Sequence, residues 1–178
     1  RRHFTKQLST SKINKNKPTD YPAGLYQLAN KNISKQLTHF LHGNEDLPDE
    51  EFVNELHQIR IKAKQLRYTM GAFQEIFDEP FKSIFSCVKE AQELLGIIHD
   101  CDVWTEFLNQ FLIKEKSRTI KYYGSVSPFN LLKPGIDYFM QINIESRKQQ
   151  YQFLVQKWQF WKNEKVWQNL REITTSKE

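Results

Sequence analysis

The stretch Phe52-Val53-Asn54-Glu55-Leu56-His57-Gln58-Ile59-Arg60-Ile61-Lys62-Ala63-Lys64-Gln65-Leu66-Arg67-Tyr68-Thr69-Met70-Gly71-Ala72-Phe73 sets apolar residues at 52, 56, 59, 63, 66, 70 and 73, and Phe77 follows at the next step of four. Steps of four and three alternate without a break, which is the seam of a long helix packed against other helices. Asp49, Glu50 and Glu51 precede the seam, and the helix dipole favours acids in a first turn, so the helix is expected to open there. Pro80 cannot sit in a helix interior and sets its far limit.

Helical spacing continues on both sides. Leu25, Ala29, Ile33, Leu37 and Phe40 predict a first helix that stops near Gly43-Asn44. A third begins near Phe81, passes Ile84, Val88, Leu95, Val103 and Phe107, and ends about Lys116, with Gly96 interrupting its seam. A loop over 122–128 follows. Pro134 is then expected as the first residue of a fourth helix, where its missing donor is not needed. That helix carries Ile136, Met140, Ile144, Tyr151, Leu154, Trp158 and Trp161 and breaks near Asn163; a short last helix holds Val166, Trp167, Leu170 and Ile173. The fold class is therefore all-α, an antiparallel bundle of four to five helices. The aromatics share the aliphatic stripes, which makes them packing residues rather than a platform for stacking bases.

A chain of 178 residues suits one domain with a real core. The division is a flexible basic leader over 1–20, a helical domain over 21–174 and a tail over 175–178. No apolar run approaches the roughly 18 residues that cross a bilayer, and nothing at the start reads as a signal peptide, so a cytoplasmic protein is expected. The chain opens on Arg1, as a fragment or a processed chain would. Cys87 and Cys101 fall in helical segments and are expected as free thiols.

The net charge of +5 invites a nucleic-acid reading, but its location removes most of the force. Residues 1–20 hold Arg1, Arg2, Lys6, Lys12, Lys15 and Lys17 against Asp20 alone, which leaves 20 bases and 20 acids in the remainder. An anion site must come from local segregation, and the second helix supplies it. At 100° per residue His57, Arg60, Lys64, Arg67 and Gly71 fall within a band of about 80°, centred about 115° from the apolar seam. No acid lies between His57 and Tyr68. Amphipathic helices usually mix signs, because opposite charges three or four residues apart contribute roughly 0.2–0.5 kcal/mol per pair. Here like charges stack, so either acids on a neighbouring helix or a bound anion must compensate. The residue types suit phosphate: a planar Arg fork, a compact Lys charge and a His donor. Gly71 admits either a ligand or another helix.

The second unusual stretch is Ile98-His99-Asp100-Cys101-Asp102-Val103. On a helix Gln92, His99 and Asp102 share the side of Val88 and Leu95, the core side. Three readings stand open: a structural hydrogen-bond network, a ligand-facing histidine beside the basic stripe, or a metal site with His57 as the further ligand. His3, His39 and His42 have no such context and are expected at the surface. No nucleophile-base arrangement and no Gly-rich phosphate loop is present.

Leu56-His57-Gln58-Ile59-Arg60 through Lys64-Gln65-Leu66-Arg67-Tyr68 resembles the histidine helix of CHAD domains, the conserved-histidine α-helical domains. Gln92-Glu93-Leu94-Leu95-Gly96, followed by Asp100-Cys101-Asp102-Val103, is similar to that family's second signature. The resemblance covers roughly residues 21–174. It implies a non-catalytic helical module that binds inorganic polyphosphate, with His57, Arg60, Lys64 and Arg67 as principal contacts and Tyr68 and His99 as members of the site. Gln92, Asp100 and Asp102 match the pattern; they are assigned to orienting the bases or to a divalent cation bridging phosphate, with no resident metal or cofactor. Lys31, Lys35, Arg147, Lys148 and Lys157 are further contacts from other helices, Lys35 and Arg147 foremost. A full CHAD domain has two half-bundles, each with a His-Arg helix; this chain has one, most like the second half. A homodimer or a companion half-domain is therefore expected, with no membrane as partner and nucleic acid disfavoured. The alternatives are a metal-dependent phosphate-ester enzyme using His57, His99 and Asp102, and a helical interaction protein that meets an acidic partner or nucleic acid.

Overall fold

A computed structural model describes residues 21–43 and 46–176; the basic leader and the last two residues of the tail lie outside the described residues. Five α-helices and one 3-10 turn make up these segments, with no strand among them. They are α1 (Ala23–Leu41), α2 (Val53–Phe73), the 3-10 turn Gln74–Ile76, α3 (Glu79–Tyr123), α4 (Ser127–Asn163) and α5 (Val166–Thr175). The chain is an all-α bundle, as the spacing predicts.

The seam of α2 is its core face. Leu56, Ile59, Ala63, Leu66 and Met70 are buried, against Ile33 and Leu37 of α1 and Val88, Leu95 and Ile98 of α3 in one continuous cluster. A second focus closes the other side: Phe40, Trp158, Trp161 and Trp167 meet edge-on or tilted at 5.4–6.2 Å and join α1, α4 and α5. These aromatics are packed at the core, whereas Trp104, Phe107, Phe139, Phe153 and Phe160 are exposed. Lys165, in the left-handed region at φ 52°, makes the corner that starts α5.

The structure corrects four expectations. Asp49, Glu50 and Glu51 do not form the first turn of α2, which starts at Val53 with Glu55 as its only first-turn acid. The segment before it is held instead by α4: the Tyr151 hydroxyl donates to the Pro48 carbonyl at 2.9 Å, and Lys162 pairs with Asp46 at 2.8 Å. α3 runs on past Lys116 to Tyr123, straight through Gly96, and ends on Gly124 in the left-handed conformation. The proline at the start of α4 is Pro128, and Pro134 lies inside the helix.

The fourth correction concerns Val103, Phe107 and Ile144, expected in packed seams and found exposed. α3 has 45 residues, about 67 Å at 1.5 Å per residue. Its contribution to the core cluster ends at Ile98, and α4 enters that cluster only at Leu154. The three-residue turn Gly124–Val126 folds α4 back on α3, so the distal half of α3 and the first half of α4 form a two-helix arm. Leu108, Thr119, Phe129 and Asn143 are buried along it. Thirteen of the twenty exposed large apolar side chains among the described residues lie on this arm, which leaves most of its apolar surface uncovered.

Candidate functional site

α2 and α3 cross so that the two singled-out histidines meet. His57 Nδ1 and His99 Nδ1 are 3.2 Å apart, with ring centroids at 4.5 Å and planes tilted by 39°. At that separation one nitrogen donates and the other accepts, so the neutral pair holds one proton between the two Nδ1 atoms. Both rings are half-buried. Burial pushes the His99 pKa down, and the positive charges of Arg60 and His57 push the same way, against Asp100 and Asp102. His99 thus resists protonation while no anion is bound.

His57 and His99 line one end of a groove of about 480 Å³. Its other walls are Val53 and Asn54 of α2 and Asp102, Val103, Glu106, Phe107 and Gln110 of α3. Asp102, in the groove wall, is engaged by a base from another helix. Its Oδ1 accepts a hydrogen bond from Arg147 Nε at 2.5 Å, and the same guanidinium donates to the Glu50 carbonyl oxygen at 2.7 Å and to Glu50 Oε1 at 3.3 Å. Arg147, with a side chain only 14 % exposed, therefore ties α4 to α3 and to the segment before α2. The base that Asp102 pairs with is Arg147. Glu50, expected as a first-turn acid, is instead a partner of Arg147, and their separation of 97 residues leaves no local signal for the pairing.

The bases of α2 stand differently. Among the described residues Arg60, Lys64 and Arg67 form no ion pair. Arg60 Nε and Arg67 Nε are buried without a hydrogen-bond partner, and so is Gln92 Oε1. A buried cationic donor left without an acceptor is costly unless an anion joins it. Among the described residues no acid of a neighbouring helix pairs with the stripe. Tyr68 lies alongside, with Arg67 over its ring at 4.9 Å and Lys64 at 5.8 Å, and its exposed ring holds the two cations together. From His57 to Arg67 the stripe extends about 15 Å along the helix.

Lys31, Lys35 and Lys148 are exposed on α1 and α4, and Lys157 is paired with Glu90 at 2.7 Å. Asp100 is exposed, and His39 and His42 are at the surface; His3 lies outside the described residues. A Cβ placed on Gly71 would meet Phe85 Cζ of α3 at 3.4 Å, an ordinary contact, so this position faces another helix. Cys87 and Cys101 are free thiols. Among the described residues no three His, Cys, Asp or Glu side chains come together as a metal-binding group, and no helix is long and apolar enough to cross a membrane.

The family model of the CHAD domain matches residues 4–109, more than half of the chain and both motif stretches, and stops within the arm. No curated protein and no solved structure matches the chain.

Proposed function

The chain belongs to the CHAD domain family, and from that premise we propose that it is a non-catalytic module that binds inorganic polyphosphate along α2. The family carries the association with polyphosphate. The observation that ties the reading to this chain is the pair of buried, unpartnered guanidinium nitrogens of Arg60 and Arg67 on a stripe without acids. A polyanion supplies the countercharge that these bases lack, and a repeating one matches bases repeated along a helix. Lys64 and the His57–His99 pair extend the same line of donors, and Tyr68 steadies it. Glu50, Asp102 and Arg147 hold the scaffold.

The test is binding of long-chain polyphosphate across a salt series. The expected affinity is micromolar or tighter and falls steeply as salt rises, because neutralising a polyanion releases its counterions. Arg60→Glu with Arg67→Glu abolishes it; unchanged binding in that double variant sinks the reading. RNA and DNA at matched phosphate concentration compete poorly. Turnover of phosphate esters with divalent cations, lost in His57→Gln, would replace the binder with an enzyme.

A further inference from the structure

One face of the arm has a graded composition. On α3, residues 99–110 hold Asp100, Asp102 and Glu106 and no Lys or Arg; residues 111–123 hold Lys114, Lys116, Arg118 and Lys121 against Glu115. At 100° per residue Asp100, Val103, Phe107, Phe111, Lys114, Arg118 and Lys121 share one side of the helix, with Glu106 at its edge. This side points away from the α4-facing residues Leu108 and Thr119, which are buried. Read from the base of the arm to its tip, the side is acidic, then apolar, then basic. Phe107 and Phe111 stack at its centre, with ring centroids 6.2 Å apart.

We infer that this face binds a second copy of the chain, with two α3 arms antiparallel about a two-fold axis near Phe107 and Phe111. A gradient of this kind is self-complementary only when reversed: the antiparallel copy lays its basic tip on the acidic base, and a parallel copy opposes like charges. Asp100, Glu106, Lys114 and Lys121 form no ion pair within the chain among the described residues. Two helices cannot enclose a core, whereas two such hairpins make four helices, which can. Val103 and Phe107 are each 52 % exposed, apolar surface that a second copy would remove from water.

The pairing has a consequence for the site. Val103, Glu106 and Phe107 line the same groove as His57 and His99, so the apolar centre runs directly into it. The partner's tip then brings a second set of bases, Arg118 and Lys121 of the partner copy, to the mouth of the histidine groove. Resting on the polyphosphate reading, this makes each anion site a joint product of one copy's α2 and the other copy's arm tip. The two α2 stripes lie at opposite ends of the dimer rather than face to face.

Light scattering of the full chain is expected to give close to twice 21.3 kDa. Phe107→Asp gives a monomer with unchanged helicity by circular dichroism, since the side chain is exposed. Glu106→Lys and Lys114→Glu each weaken the dimer severalfold, and the two together restore it, a result that only antiparallel pairing produces. A wild-type chain that stays monomeric overturns the inference, as does a double charge swap weaker than either single one. A monomer that instead floats with phosphatidylcholine–phosphatidylserine vesicles also overturns it, by assigning the face to a membrane. A monomeric wild type that still binds polyphosphate leaves the proposed function standing; a dimer that does not bind it removes that function and keeps the dimer.

Discussion

His57 Nδ1 and His99 Nδ1 stand 3.2 Å apart across the α2–α3 crossing, close enough that the two rings share one proton. Burial, Arg60 and His57 together hold the His99 pKa below its ordinary 6.5. A group with a lowered folded pKa binds more protons when the chain unfolds, so its favourable contribution is complete above pH 6.5 and is lost as pH falls through the folded value. The melting temperature of the free protein should therefore drop on acidification from pH 7.5 to about pH 5.5. The slope should flatten in His99→Gln. An identical slope in that variant would place the sensitivity elsewhere.

Polyphosphate reverses the sign. An anion beside the pair favours its charged form, raises the His99 pKa in the complex and draws in protons on binding. Affinity should increase as pH falls below about 6.5. Calorimetry in buffers of different ionisation enthalpy would register proton uptake at pH 6.5 in the wild type. His57→Gln should show less uptake at the same pH.

Arg67 separates function from stability. Its buried Nε lacks a partner, so Arg67→Met removes an uncompensated polar burial while keeping an apolar stem. Without ligand this variant should be as stable as the wild type or more so, by about 0.5–1 kcal/mol in urea denaturation. Its polyphosphate affinity should fall at least about tenfold, the equivalent of roughly 1.4 kcal/mol. A loss of stability with unchanged affinity would make Arg67 a scaffold residue.

Arg147 is the opposite case. Its fork reaches Asp102 and two atoms of Glu50, from a side chain only 14 % exposed. Arg147→Ala should cost about 2–4 kcal/mol, because it strands the Asp102 carboxylate in a half-buried position. Arg147→Lys should rescue little, since one ammonium cannot reproduce three donors in a plane. Binding by whatever fraction remains folded should stay near the wild-type value.

Gly71→Ala gains roughly 1 kcal/mol of helix propensity and brings its Cβ to 3.4 Å from the end of the Phe85 ring. Ordinary contact at that distance predicts a net gain of about 0.5–1 kcal/mol and unchanged polyphosphate binding. Gly71→Leu should instead cost about 1–3 kcal/mol by forcing the helices apart. Loss of binding in Gly71→Ala without loss of stability would return this position to the ligand.

What the sequence disclosed depended on how local the cause was. The core face of α2 was readable because Leu56, Ile59, Ala63, Leu66 and Met70 repeat within one helix, and every one is buried. The half-buried positions of Gln92, His99 and Asp102 followed from the same periodicity. The meeting of His57 with His99 did not, because the register between two helices is set by packing over the whole interface. Asp49 to Glu51 looked like a first turn on charge alone. The competing pull comes from Arg147 and Tyr151, about a hundred residues away, which take the Glu50 and Pro48 carbonyls. The arm was hidden for a related reason: the spacing marks which residues are apolar, and it does not say whether a neighbour arrives to cover them.

The unbroken run of α3 has one more effect, on how the chain can vary. Between His99 and Tyr123 there is no loop to absorb a change in length. A single inserted residue would turn everything beyond it by about 100° and carry it about 1.5 Å further on. The groove and the outer end of the arm are therefore locked in phase. Insertions and deletions within the rod are tolerable only in near-heptad steps, and freer variation in length is confined to the turn at Gly124–Val126.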